Sequence, residues 1–282
     1  MTFTFANVNG KSALISDGSF FDLEVISDGA VSADPMEALA EPETLHTLSS
    51  DLESFAASGM VDDVVLGAPV PRPANSFGIG LNYQTHVDEA AMDTPEVPMV
   101  FAKLPSCITG PTSDVQMRSG ECDYEGELVV VIGSGGKDIR EDRAWEHVVG
   151  LTVGEDFSDR GAQFMSTPAQ FTLGKSMDSF GPTGPVLVST DSFTDPADLE
   201  LRTWVNGELR QHDRTSSMIF GIPELISFIS RHVTLSTGDL IFTGTPEGVG
   251  FRNGVFLIDG DVVRTSIEGI GTLENRCISV PD

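Results

Sequence analysis

Acidic side chains crowd the start of a short apolar strand: Asp123-Tyr124-Glu125-Gly126-Glu127 runs directly into Leu128-Val129-Val130-Val131-Ile132. Side chains alternate faces along a strand, so Glu125 and Glu127 point the same way, about 7 Å apart at Cα. Two like charges on one partly buried face repel, and one stays protonated unless a cation sits between them. A hard divalent ion such as Mg²⁺ removes that conflict with oxygen ligands alone. Asp156, which follows the apolar run 148–153, offers a third carboxylate. Periodicity does not separate this reading from a solvated acidic edge.

Other segments carry chemistry at suggestive spacing. In Gly80-Leu81-Asn82-Tyr83-Gln84-Thr85-His86-Val87-Asp88-Glu89, a helix beginning near Tyr83 puts His86 and Glu89 on one face. A carboxylate beside imidazole orients the ring and supports a general base that activates water. An exposed helical His–Glu pair has the same spacing. Lys175, in Phe171-Thr172-Leu173-Gly174-Lys175-Ser176, is one of only four lysines. It could hold a substrate carboxylate or donate a proton. Arg160 and Gln163, just after Asp156, could grip carboxylate oxygens, or Arg160 could form a helix-start salt bridge. The turn Thr243-Gly244-Thr245-Pro246-Glu247-Gly248-Val249-Gly250 offers backbone N–H groups and Thr245 to an anionic oxygen. Gly248 and Gly250 read there as plain turn residues.

The elements that must position these groups are mostly strands, expected over 77–81, 99–103, 127–132, 150–155, 184–187, 199–205, 239–242, 261–267 and 271–277. Helices are expected over 83–92, 142–147 and 222–230. Strands outnumber helices and no βαβ alternation appears, so an α+β, β-rich fold with a sheet-built core follows. Residues 1–70 read as a small separate N-terminal domain. It has strands at 3–8 and 13–15 around Asn9-Gly10 and helical spacing at 34–39 and 47–58. Pro69, Pro71 and Pro73 make a linker-like stretch before a catalytic domain at 71–282.

Composition narrows the partners. The 282 residues carry 43 acidic against 16 basic side chains, a net charge of −27. Such a surface repels nucleic-acid phosphates and anionic membranes. It suits a solubility adaptation to a salty cytoplasm, where screening relieves self-repulsion. The N-terminus lacks a signal-peptide pattern and no run is long enough to span a membrane, so a cytoplasmic protein is expected. Cys107, Cys122 and Cys277 are odd in number and widely spaced. They fit neither a disulfide framework nor a zinc site, and read as buried thiols.

Taken in order, these motifs form a more specific pattern. With Val205-Asn206-Gly207-Glu208, Met218-Ile219-Phe220, Gly238-Asp239-Leu240-Ile241 and the closing Gly269-Ile270-Gly271, the chain from about Pro73 onward resembles the fumarylacetoacetate hydrolase family. That resemblance implies a catalytic domain of rolled, mixed β-sheets behind a smaller N-terminal domain, and a homodimer. It implies Mg²⁺, with Mn²⁺ or Ca²⁺ as substitutes, held by Glu125, Glu127 and Asp156. His86 and Glu89 match the water-activating pair, Lys175 the active-site lysine, and Arg160, Gln163 and Thr245 the substrate side. Gly154-Glu155 stands where many members carry Asn-Asp. Glu155 should face away from Asp156, leaving that ligand intact.

The activity so implied is hydrolysis of a carbon–carbon bond in an acylpyruvate-type 2-oxo acid, such as fumarylpyruvate or acetylpyruvate, through an enolate that the cation stabilises. Decarboxylation of oxaloacetate, or isomerisation or dehydration of another 2-oxo acid, would use the same enolate. A non-enzymatic cation-binding protein is the remaining alternative. Specificity is expected in residues 90–97, where 91–95 would form a lid, and in 164–171.

Overall fold

The computed structural model describes residues 2–281. A twelve-stranded mixed sheet forms its frame. At its centre lie Gly126–Ile132 and Val148–Glu155, buried along their whole length. That is why both read as near-continuous apolar runs rather than alternating ones. Leu128, Val130 and Ile132 pack on one side, against the helix Ile222–His232 and against Leu201 and Leu273 of a second sheet. Val129 and Val131 pack on the other side with Phe242, Phe5 and Leu14. The two faces of one strand therefore hold two cores together.

The second sheet has five strands, in the order Glu208–Arg214, Glu200–Val205, Val262–Ile267, Gly271–Ser279 and Val115–Met117. The helix Ile222–His232 buries Ile222, Leu225, Ile226 and Ile229, an i, i+3, i+4, i+7 stripe. No helix among the described residues is long and apolar enough to cross a membrane.

The first 70 residues do build a hairpin layer, Thr4–Val8, Lys11–Ser16 and Ser19–Asp22, turning at Asn9-Gly10. They do not stand apart as a layer of their own, because Thr4 and Phe5 pair with Val188 and Leu187 and so continue the large sheet. The helix expected over 47–58 lies instead at Pro42–Ser50. Pro42 fits the first turn, where no N–H bond is required, and the chain leaves the helix at Asp51. The segment expected as a helix over 142–147 is a 3₁₀ helix, Glu141–His147.

Candidate functional site

Four neighbouring strands in the interior of the large sheet have ends that meet at one site. Gly126–Ile132 pairs antiparallel with Val148–Glu155, with Glu127 opposite Gly154. Asp156 thus emerges beside Glu125, and the Asp156 N–H donates to the Glu125 carbonyl at 2.9 Å. Leu240–Phe242 runs parallel to Ser76–Gly80, so Thr243-Gly244-Thr245 and Leu81-Asn82-Tyr83 leave the sheet together. Buried Asn82 ties the two loops, donating to the Thr243 carbonyl at 2.7 Å and accepting from the Phe220 N–H at 2.8 Å. Gly244 sits at φ +99°, where an added Cβ would come within 2.7 Å of the Asn82 Cβ. Its N–H donates to Glu127 Oε2 at 2.7 Å.

One oxygen from each of Glu125, Glu127 and Asp156 lies within 4.8 Å of the others, and all three side chains are buried. Cations surround this cluster. Lys175 Nζ donates to Glu125 Oε2 at 2.7 Å, Asp156 Oδ2 at 2.9 Å and Ser158 Oγ at 2.8 Å. Arg160 Nη2 donates to Glu125 Oε1 at 2.6 Å and to Asp123 Oδ2 at 2.6 Å. Fully buried Lys103 donates to Asp156 Oδ1 at 2.6 Å, to the Lys175 carbonyl and to the Phe180 carbonyl at 3.2 Å. Burial pushes the Glu125 carboxyl up, but Lys175 and Arg160 outweigh it and bring it down to about 2. Glu127 goes the other way. Burial, with Asp156 and Glu125 alongside, drives it well above the usual carboxylate range. A divalent cation among the three oxygens would relieve that repulsion, and an all-oxygen donor set suits Mg²⁺, Mn²⁺ or Ca²⁺. The residues present therefore fit such an ion.

His86 and Glu89 share the inner face of the helix Gln84–Ala90, with His86 Nδ1 3.5 Å from Glu89 Oε2. Glu89 is anchored by the Gly248 N–H, at 3.2 and 3.1 Å from its two oxygens. Gly248, at φ +103°, leaves no room for a side chain, since a Cβ there would fall 2.0 Å from the Arg210 carbonyl oxygen. The Gly250 N–H likewise donates to Asp123 Oδ1 at 2.7 Å. Both glycines, expected to be plain turn residues, thus also support the site. Glu155 points away from the cluster to Thr265, which donates to it, and burial pushes its carboxyl up to about 8.

The cluster opens into a cavity of about 380 Å³. His86, Glu125, Arg160, Gln163, Lys175 and Thr245 all line it; Glu89, Glu127 and Asp156 do not. Met92 and Phe171, from the two segments expected to set specificity, line it as well. Arg160 has little left to offer a substrate. Its Nε and Nη2 hold Asp123 and Glu125, and Nη1 donates to Gln163 Oε1 at 2.9 Å. Thr245 Oγ1 donates to the Gly126 carbonyl at 2.9 Å and accepts from Gln211 Nε2 at 2.7 Å.

Lys103 and Gln211 are supporting residues that the motifs did not single out, and Asp123, first residue of the acidic motif, was given no role of its own. Asp123 holds Arg160, and Gln211 braces both Gly126 and Thr245. A lysine closing an apolar strand in a chain with four lysines was a signal for Lys103. Nothing local marked Gln211.

The architecture and the site define a class, and comparison with known proteins agrees. The family model for the fumarylacetoacetate hydrolase C-terminal domain matches residues 75–278. The chain belongs to the fumarylacetoacetate hydrolase family. Over 236 residues it is 44% identical to oxaloacetate tautomerase YisK of Bacillus subtilis, covering 81% of this chain and 77% of that protein. It superposes with a TM-score of 0.85 on the fumarylacetoacetate hydrolase of psychrophilic Exiguobacterium antarcticum, 36% identical, covering 99% and 100% of the two chains. Maleylpyruvate hydrolase from Sphingobium sp. SYK-6, solved with manganese(II) and pyruvate, gives a TM-score of 0.83 at 26% identity, covering 98% and 99%.

Proposed function

We propose that this chain catalyses proton transfer at the carbon beside the keto group of a 2-oxo acid, with oxaloacetate the first substrate to test. The observation that carries this reading is the buried carboxylate triad facing Lys175 at the inner end of the cavity. Glu125, Glu127 and Asp156 would hold a divalent cation, which supplies Lewis-acid polarisation of the keto oxygen and stabilises enolate charge. His86, whose Nδ1 lies 3.5 Å from Glu89 Oε2 without a hydrogen bond to it, lines the cavity and would take or return the proton. Lys175 adds a second positive charge in the same pocket. The 44% identity to an oxaloacetate tautomerase supports enolisation as the first reading.

Hydrolysis of an acylpyruvate is the second reading, favoured by the His86–Glu89 pair. Such a pair can activate water for attack on a distal carbonyl, and a maleylpyruvate hydrolase shares the fold. Decarboxylation or another isomerisation would pass through the same enolate and differ in product.

One experiment separates these readings. The protein is incubated with Mg²⁺ or Mn²⁺, and with chelator, on oxaloacetate, acetylpyruvate and fumarylpyruvate. Enol–keto conversion and pyruvate release are followed in parallel. Metal-dependent interconversion of oxaloacetate without pyruvate release supports the tautomerase. Pyruvate from the acylpyruvates, lost in His86→Ala, moves the assignment to the hydrolase. Pyruvate from oxaloacetate alone marks a decarboxylase. Inertness toward every 2-oxo acid with metal present would sink the reading.

A further inference from the structure

His86, Arg160, Lys175 and Arg252 line the cavity, and their surroundings differ. His86 faces Glu89, Arg160 faces Asp123 and Glu125, and Lys175 faces Glu125 and Asp156. Arg252, exposed on the short helix Gly250–Asn253, forms no ion pair among the described residues. Arg72, Arg140, Arg143, Arg202, Arg210 and Arg214 each find a carboxylate, while Arg118, Arg231, Arg264 and Arg276, like Arg252, form no ion pair among the described residues but do not line the cavity. The neighbour of Arg252 is instead an aromatic ring. The Arg252 guanidinium lies 5.6 Å from the Phe251 centroid, as does that of Arg160. Phe251 in turn stacks on Phe164 at 5.1 Å. The same ring thus carries one guanidinium held by carboxylates and one that is free. Ile79, Met92 and Val249 add apolar wall to the cavity.

We propose that Arg252 is a specificity-determining residue that receives the second carboxylate of a 2-oxo dicarboxylic acid. The inference rests on the functional reading above and deepens it. A free guanidinium in a cavity whose other cations are already paired is the site where a second anion gains most. Its planar fork matches a carboxylate with two parallel bonds. Arg160, the arginine that the sequence pattern offered for this task, is instead occupied in bracing Glu125. The apolar wall suits a hydrocarbon spacer between the 2-oxo acid head and the distal charge.

The test uses the Mn²⁺-loaded full chain and reads exchange of the C3 protons of 2-oxo acids into D₂O by NMR. Oxaloacetate and 2-oxoglutarate are compared with 2-oxobutyrate, which has no second carboxylate. Arg252→Gln should raise KM for the diacids by about 10- to 100-fold, as expected for losing one charge-assisted pair. KM for the monoacid should stay within about twofold, and Arg252→Lys should recover part of the loss. Thermal unfolding and Mn²⁺ affinity should match the parent protein, since Arg252 touches neither the core nor the carboxylate cluster. Equal losses for diacid and monoacid, or no change for either, would overturn the role of Arg252 while leaving the functional reading intact. Absence of metal-dependent exchange with any 2-oxo acid in the parent protein would overturn both.

Discussion

The two ends of the cavity are built on different principles. At the inner end, Glu125, Glu127, Asp156, Lys103, Lys175 and Arg160 are at most 6% exposed, and every one is fixed by hydrogen bonds to a neighbour. Along the outer wall and beside it, Met92, Phe164, Leu173 and Met165 are 52%, 47%, 63% and 72% exposed. Ring stacking, Phe164 on Phe251 and Phe101 on Phe171, does much of the holding there. A charge cluster in low dielectric tolerates little error, because each unpaired group costs its full desolvation. An apolar wall open to solvent can change residue by residue at small cost. Under the proposed function, the difference places reaction type and substrate choice on separate parts of the molecule, so that one could vary while the other stays fixed.

The largest expected effect falls at the inner end. Asp156→Asn removes a proposed cation ligand and the carboxylate shared by Lys103 and Lys175. Turnover should fall on the order of 10³-fold, with Mn²⁺ binding lost in titration calorimetry. Chelation of the parent protein should abolish activity reversibly, with addition of Mn²⁺ restoring it. Retention of metal-dependent turnover in Asp156→Asn would move the reaction centre elsewhere. Lys103→Met comes next. It leaves Asp156 Oδ1 without its closest cation and frees the Lys175 carbonyl. Metal affinity should weaken by about 10- to 100-fold. Stability should drop by about 3–5 kcal/mol, the typical cost of breaking a buried pair from one side. A chemical denaturation curve and a Mn²⁺ titration together check this. A loss of stability with unchanged metal affinity would make Lys103 a structural residue only.

The outer wall should respond much less. Phe164→Ala removes a half-exposed ring stacked on Phe251, a contact worth about 0.5–1.5 kcal/mol. KM should shift by less than about tenfold, with kcat and melting temperature nearly unchanged. A collapse of kcat in this variant would erase the proposed separation between the two ends, and steady-state kinetics decides it.

Much of the inner end was legible because it sits at strand ends, and buried strands announce themselves. Gly126–Ile132 begins one residue before the apolar run suggested, and Val148–Glu155 delivers Asp156 to Glu125 by plain antiparallel register. What stayed hidden depends on partners far away in sequence. Lys103 meets Asp156 and Phe180, 53 and 77 residues distant, and Gln211 meets Gly126 at a separation of 85. The strand Glu208–Arg214 carries only one fully buried side chain, Gln211, so its charged sequence shows no apolar alternation. The strand joining residues 1–70 to the large sheet was legible as a strand. Its partner, Gly181–Val188, was also expected, over 184–187, but the pairing of the two was not legible. Local pattern tells which residues form an edge but not which edge they meet.

The smallest expected effect is also the quietest check on the inner end. Cys107, Cys122 and Cys277 are buried and free. Burial pushes the Cys122 thiol up to about 11 and the Cys277 thiol up to about 12. Burial raises Cys107 too, although Lys103 nearby acts in the opposite direction. A raised thiol value keeps the proton on sulfur at neutral pH, and alkylating reagents attack the thiolate. At pH 8 only about one Cys122 side chain in a thousand would be ionised, even before access is considered. Native protein should therefore take up almost no iodoacetamide over hours, whereas denatured protein should label all three cysteines. Cys107 makes the result useful beyond the count, because its segment, Pro105–Cys107, follows Lys103 by a single residue. Mass mapping that found rapid labelling of Cys107 in the native protein would show the inner end opening to solvent on the reagent's timescale. The contrast with the outer wall would then be one of degree.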